Sequence, residues 1–313
     1  MKRRTNLLER AERRWGLFFV SPWILGFLAF SLAPMIASLG FTMTDFNPAN
    51  PDKTQFVGLA QWARAFVQDP ETYPSILKTL VFSAICLPIT FGSALAIALV
   101  LNSKRVLGKT LFQTLFFMPT MIPTIAAALI WTGILNSQTG WVNVFIQQLT
   151  GFHAVGSDGI PWTTSPQLIY FTYSLVSLWG MGNTMIIFLA GLQNISSELY
   201  EAADIDGANW RVRLQRITLP MLSPVIFFNL IIALIGLLQY FAVPFTLNQG
   251  RGNGFPDGAS NFLAVNFFSQ SFHFSNMGYG AVLAWVIFGF GLAFTLLLFW
   301  SQKKWVYYAG EKS

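Results

Sequence analysis

Apolar residues fall in long unbroken blocks, with polar residues crowded into the gaps between them. Six blocks stand out, roughly Trp15–Met43, Ser75–Leu101, Thr110–Leu135, Gln167–Leu192, Met221–Leu247 and Tyr279–Ser301. Each supplies the about 20 apolar residues that a helix needs to cross a hydrocarbon core. The pattern therefore predicts an all-α integral membrane protein with six transmembrane helices. Residues 1–14 form a leading tail, 15–301 the membrane domain and 302–313 a closing tail. The first block is too long for the roughly 7–15-residue core of a cleaved leader. The longer polar intervals, about Thr44–Pro74, Asn136–Pro166 and Asn248–Gly278, read as folded caps or docking loops. No internal repeat is evident. Pro22, Pro34, Pro88, Pro119, Pro123, Pro224 and Pro244 lie in or beside the blocks, where a membrane bundle tolerates kinks because neighbouring helices and hydroxyls satisfy the freed carbonyls.

Composition agrees: 54% of the residues are hydrophobic, only 10% are charged, and there are 31 Phe and 11 Trp. The net charge of +6 does not point to nucleic acid, because the basic residues sit between apolar blocks and form no soluble basic face. They report orientation instead. Lys2, Arg3, Arg4, Arg10, Arg13, Arg14, Lys104, Arg105, Lys109, Arg211, Arg213, Arg216, Lys303, Lys304 and Lys312 share one side. Lys53, Arg64, Lys78 and Arg251 are assigned to the other. The positive-inside rule then puts both termini in the cytoplasm. Cys86, the single cysteine, cannot form an intrachain disulfide.

No Lys or Arg occurs from Leu111 to Trp210, and the fifth and sixth blocks carry no charge. Ion-coupled carriers place ionisable relays within the membrane. Without one, the energy source is expected outside this chain, and the solute is expected to be neutral. A phosphate ester calls for Arg or Lys near its path, and no such residue is expected there. His153 and His273 lie in loops without Cys, Asp or Glu at ligand spacing, so neither a metal site nor a catalytic set is expected. Gly108-Lys109-Thr110 lacks the earlier glycine of a phosphate-binding loop, since position 103 is Ser103. A stand-alone secondary carrier and a membrane-embedded enzyme are the readings from other classes.

The most punctuated segment is the loop at 196–220. Ser196 or Ser197 can cap a helix whose first turn suits Glu198 and Glu201. Gly207 can end it in the left-handed conformation, and Asn209 can cap a second short helix that Pro220 should stop. Such a helix–glycine–helix elbow reads as a peg with apolar teeth at Leu199, Tyr200, Ala202, Ala203 and Leu214. Its Arg211, Arg213 and Arg216 would face headgroups or a partner.

Glu201-Ala202-Ala203, then Asp206-Gly207-Ala208, then Ile217-Thr218-Leu219-Pro220 with Pro224, placed after the fourth of six spans, resembles the signature loop of binding-protein-dependent ABC importer permeases. Asn102-Ser103-Lys104 and Leu115-Phe116-Phe117-Met118-Pro119 resemble the sugar-importer branch, with its maltose-type and glycerol-3-phosphate-type permeases. The resemblance implies a type I importer permease fold in a bacterial or archaeal cytoplasmic membrane. It implies a second related permease subunit, two ATP-binding cassette subunits and an extracytoplasmic solute-binding protein as partners. ATP and Mg would bind the ATPase subunits, leaving this chain without a cofactor. Glu201, Ala202, Ala203, Asp206, Gly207, Leu214 and Pro220 would form the ATPase-coupling loop, with Glu201 making polar contacts, the two alanines allowing close approach and Gly207 making the elbow. Leu214 replaces an aromatic residue common in the family. A neutral sugar or oligosaccharide is the implied solute, with glycerol-3-phosphate or a polyol as the alternative.

Sugar sites pair aromatic faces with amides and hydroxyls. Trp179, Gly180 and Asn183 in the fourth span fit, with 179 and 183 expected on one helix face. Gln239 and Tyr240, polar interruptions in the fifth span, complete the expected substrate path.

Overall fold

The structure is a computed structural model that describes residues 2–103, 105–151, 159–247 and 256–307. Lys104, His153, Asp158, Arg251 and Lys312 lie outside the described residues, as do the side chains of residues 2–8, 10 and 11. Among the described residues the chain is helical, and its β structure is one isolated bridge between Thr44 and Phe56. Four helices are long and apolar enough to cross a membrane: Glu12–Phe41, Thr72–Asn102, Trp210–Leu247 and Met277–Gln302. Two bent pairs, Lys109–Met121 with Thr124–Ile134 and Ile169–Trp179 with Gly182–Gln193, raise the number to six when each counts as one span.

The expected third and fourth spans are therefore not single rods. The third bends by 100° and the fourth by 56°. Pro123 explains the first bend, since it has no N–H to continue the helix and bars Ile122 from helical geometry; Ile122 is extended, at ψ 127°. No proline lies at the second bend. There Gly180 and Gly182 flank Met181, and glycine holds a helix weakly. Conversely, Pro22, Pro88 and Pro224 sit inside continuous helices. The fifth span is interrupted at Gln239–Phe241, between Leu219–Leu238 and Ala242–Leu247.

Contacts divide the chain into two compact units, Met1–Gln68 with Gln270–Trp285 and Asp69–Ser269 with Val286–Ser313. In the first, Val57 N–H donates to the Met43 carbonyl at 2.8 Å and Trp285 Nε1 donates to Ser38 Oγ at 3.3 Å. The Arg64 guanidinium lies 4.2 Å from the centre of the Tyr279 ring.

The second unit is built on the second span. One face of that span carries Ser75, Thr79, Phe82, Ser83, Cys86, Ala94 and Ala98, all buried. Hydroxyls on this face are satisfied locally: Thr79 Oγ1 donates to the Ser75 carbonyl and Ser83 Oγ to the Thr79 carbonyl, both at 2.7 Å. One core joins Phe82, Cys86, Tyr173, Val176 and Phe262. A second joins Ala98, Leu101, Met185, Phe188 and Leu222. The segment Trp141–Thr150 in the interval after the third span is anchored by Asn143, which donates to the Ile160 carbonyl at 3.2 Å and accepts from Trp162 Nε1 at 2.6 Å.

Gly182 fixes how closely the third and fourth spans approach. A Cβ at this position would overlap the Phe116 carbonyl, which is backbone and cannot turn aside. Gly182→Ala should cost about 1–3 kcal/mol by overpacking. The melting temperature of the purified protein should fall, whereas Gly92→Ala, with no atom within 4 Å of the added methyl, should leave it unchanged.

Candidate coupling loop and translocation cleft

The loop at 196–220 folds through local signals. Ser196 caps the helix Ser197–Ile205 by accepting from the Glu198 N–H. Gly207, at φ +71°, ends it with a paired C-terminal motif, in which Gly207 N–H donates to the Asp204 carbonyl at 3.1 Å and Ala208 N–H to the Ala203 carbonyl at 2.9 Å. Two residues on, Asn209 Oδ1 accepts from the Arg211 and Val212 N–H groups at 3.1 and 3.0 Å, which starts Trp210–Arg213. Two side-chain contacts brace the elbow. Arg213 pairs with Asp204, and the Tyr200 hydroxyl lies 3.0 Å from Thr218 Oγ1.

Several expectations for this loop change. Pro220 does not stop the second helix. A wide π turn at Leu214–Thr218 precedes it and relieves the clash between the proline ring and the carbonyl four residues back. The helix continues unbroken into the fifth span. Arg213 is spent on Asp204 instead of facing a partner. Ala203 is buried, and Tyr200 and Leu214 are half-buried, so none of the three is a free tooth. The exposed crest consists of Leu199, Glu201, Ala202 and Asp206 together with Ile205, which sequence reasoning missed. Ile205 is 88% exposed and Leu199 41%. A spacing of three from Leu199 to Ala202 to Ile205 was the available signal.

The three interruptions meet at one cleft. The bend at Ile122–Pro123, the bend at Gly180–Met181 and the break at Gln239–Phe241 all contribute to its walls, and Thr120, Thr124, Ser177, Trp179, Gly180 and Tyr240 line a space of about 320 Å³. The Tyr240 hydroxyl lies 3.2 Å from Ser177 Oγ. Trp131 stands edge-on to Trp179 at 5.9 Å, and its buried Nε1 has no hydrogen-bond partner among the described residues. Next to the cleft, and farther from loop 196–220 along the fourth span, is a layer of rings. Phe262 stacks on Phe82 at 5.0 Å and meets Tyr170 and Tyr173 at 5.9 Å, while Tyr240 sits 4.8 Å from Phe82.

Trp179, Gly180 and Tyr240 thus come together as expected, but Asn183 and Gln239 do not. The bend at Gly180–Met181 removes 179 and 183 from a common helix face, and Asn183 is exposed outside the cleft. Gln239 lines a separate apolar hollow with Phe288 and Leu292. Lys78, expected near the start of the second block, lies within the second span, six residues after the helix begins at Thr72.

Three interrupted spans around a small cleft, with a helical elbow in the same unit, are the features of a helical membrane transport subunit. Residues 88–306 match the family model of the binding-protein-dependent transport system inner membrane component. The chain is 34% identical over 305 residues to the probable ABC transporter permease YesP of Bacillus subtilis (strain 168), covering 97% of this chain and 95% of that protein. It is 33% identical over 271 residues to the arabinooligosaccharides permease AraP of the same organism, covering 86% and 82%. To the trehalose/maltose permease MalF of Thermococcus litoralis it is 29% identical over 297 residues, covering 94% and 95%. Its fold is that of a chain in the bacterial ABC transporter importing the acidic polysaccharide alginate, with TM-score 0.75, 22% identity and coverage of 96% and 99%. The chain belongs to the binding-protein-dependent ABC importer permeases. It is an integral inner-membrane transport component, not an enzyme, and it works with a solute-binding protein. Membership also removes the stand-alone carrier.

Capping by Asn209 is separable from everything else in the loop. Asn209→Ala should cost about 1 kcal/mol of local helix stability, seen as roughly fivefold faster amide exchange at Arg211 and Val212. Asn209→Asp, which keeps the acceptor, should restore protection.

Proposed function

We propose that this permease carries a sugar or oligosaccharide, with both termini and loop 196–220 in the cytoplasm. It pairs there with a second, related permease and docks on one of two ATPase subunits, which bind ATP and Mg. The cleft carries the solute reading. Its lining offers the Trp179 and Tyr240 rings for the C–H faces of a pyranose and the hydroxyls of Thr120, Thr124 and Ser177 for its oxygens, with no charged side chain. Relatives named for arabinooligosaccharides and for trehalose and maltose support the same class.

The elbow supports the coupling role. Glu201, Ala202, Asp206 and the exposed Leu199 and Ile205 make an apolar crest with acidic edges, suited to a cleft in a partner. Gly207 sets the elbow angle. Ala203, Leu214 and Pro220 contribute to its rigid frame. From Trp210 to Leu238 about 40 Å of helix runs from this peg to the interruption beside Tyr240. When ATP draws the ATPase subunits together, the peg moves as one piece, and the fifth span carries that motion to the cleft. ATP closure tips the pair outward-facing, and release returns it inward-facing.

Two experiments test this reading. Ile205→Arg and Glu201→Arg should each abolish co-purification of the ATPase subunit while membrane insertion persists; full recovery of the ATPase with both would end the docking assignment. In uptake assays Trp179→Ala should raise the half-saturating concentration about three- to tenfold, the loss of one ring contact. Asn183→Ala and Gln239→Ala, outside the cleft, should stay within about twofold. The reverse ranking would move the solute site.

A further inference from the structure

Lys78 is a charge in an apolar span that is unpaired among the described residues. It stands on the packed stripe of the second span, three residues from Ser75 and four from Phe82, both fully buried. At 1.5 Å per residue it lies about 9 Å along the helix from Thr72. Its half-buried side chain makes no ion pair or hydrogen bond among the described residues. The ammonium reaches the turn Pro256–Ala259, where Nζ lies 3.7 Å from the point that a Cβ on Gly258 would occupy. Gly258 takes φ +71° and the exposed Asp257 takes φ +47°, a left-handed pair that costs energy at the non-glycine position. Beside it, Asn261 Nδ2 donates to Glu71 at 3.0 Å, and its buried Oδ1 has no partner among the described residues. An ionisable side chain inside a span faces protein or water and marks a functional path. An ammonium unpaired among the described residues is free to receive an anion.

The turn is tied to the ring layer. Tyr170 donates to the Ala259 carbonyl at 3.2 Å, Leu263 N–H donates to Thr79 Oγ1 at 2.8 Å, and Phe262 between them is the ring stacked on Phe82. Whatever engages Lys78 therefore acts on the segment that carries Phe262 into the ring layer beside the cleft.

We propose that Lys78, under the Pro256–Ala259 turn, receives a carboxylate side chain of the extracytoplasmic solute-binding protein. This rests on the reading that the face opposite loop 196–220 is the outer one. A protein source is favoured over an acidic sugar because Lys78 lies at the outer end of the span, with the layer of Phe82, Tyr240 and Phe262 between it and the cleft. The strained turn is built to shift when the ammonium is drawn toward a new partner. Engagement would loosen Phe262 and couple docking to opening of the outer side.

The test uses the complete importer in nanodiscs with its own binding protein and reads both binding-protein affinity and ATPase stimulation. Lys78→Gln should raise the concentration for half-stimulation about tenfold and remove much of its salt dependence. Lys78→Arg should stay within about twofold, and basal ATPase activity should be unchanged in both. An unaltered half-stimulation in Lys78→Gln overturns the proposal. So does normal stimulation with selective loss of uptake for uronate-bearing but not neutral sugars, which would give the carboxylate to the solute. Loss of basal activity in both variants would make Lys78 structural and overturn it too. The affinity readout does not depend on which solute is carried, so failure of the sugar reading would leave this result standing.

Discussion

In hydrocarbon a backbone amide that loses its helical partner has no water to turn to, and each such group costs several kcal/mol. This chain interrupts three of its spans, at Ile122–Pro123, Gly180–Met181 and Gln239–Phe241. It tolerates them because all three face one another across a single cleft, where hydroxyls and a solute or water can meet the freed groups. The rest of the architecture serves this arrangement. The second span is a continuous rod despite Pro88 and gives both halves of the fourth span something to pack on. Gly182 lets the third span come within backbone contact of the fourth at the level of the bends. The ring layer of Phe82, Tyr170, Tyr173, Tyr240 and Phe262 closes the cleft on one side with apolar mass where a backbone plug would bring more unsatisfied groups.

The elbow at 196–220 is built on the opposite principle. It lies where polar groups are cheap, so it can be dense in caps, an ion pair and a left-handed glycine. Because Asp204–Arg213 and Tyr200–Thr218 brace it internally, it is rigid without the membrane's help. Its second helix is also the first part of the fifth span. Displacement of the elbow therefore goes into the span that ends at Tyr240 and cannot be absorbed by a flexible linker.

The loop's local frame was legible in the sequence because caps are local: Ser196, Gly207 and Asn209 act on N–H and C=O groups within four residues. Which face of Ser197–Ile205 points outward was not, because it depends on what Tyr200 and Ala203 pack against. Ile205 was overlooked and Ala203 overvalued for that reason. Pro220 misled because the π turn before it is a tertiary accommodation with no sequence signal of its own. In the spans, apolar blocks gave number and rough ends, yet prolines were poor guides to breaks; of two sharp bends one has Pro123 and the other only glycines. The polar pair Gln239–Tyr240 did mark an interruption, and only the fold could say that Tyr240 turns into the cleft while Gln239 turns away. Lys78 already fell inside the second apolar block, Ser75–Leu101; its place on the packed stripe needed the partner segment at 256–263.

Cysteine accessibility addresses the central claim most directly. The lone native Cys86 is buried, so a Cys86→Ala chain gives a clean background for Thr124→Cys and Ser177→Cys, with Ala98→Cys as a buried control. The assembled importer, resting without nucleotide in oriented vesicles, would be treated with a charged, membrane-impermeant thiol reagent from either face. The account predicts that positions 124 and 177 react from the face bearing loop 196–220, are shielded from the opposite face by the ring layer, and that position 98 stays silent. Silence at 124 and 177 from both faces, or reaction from the opposite face alone, would contradict a hydrated cleft at the three breaks.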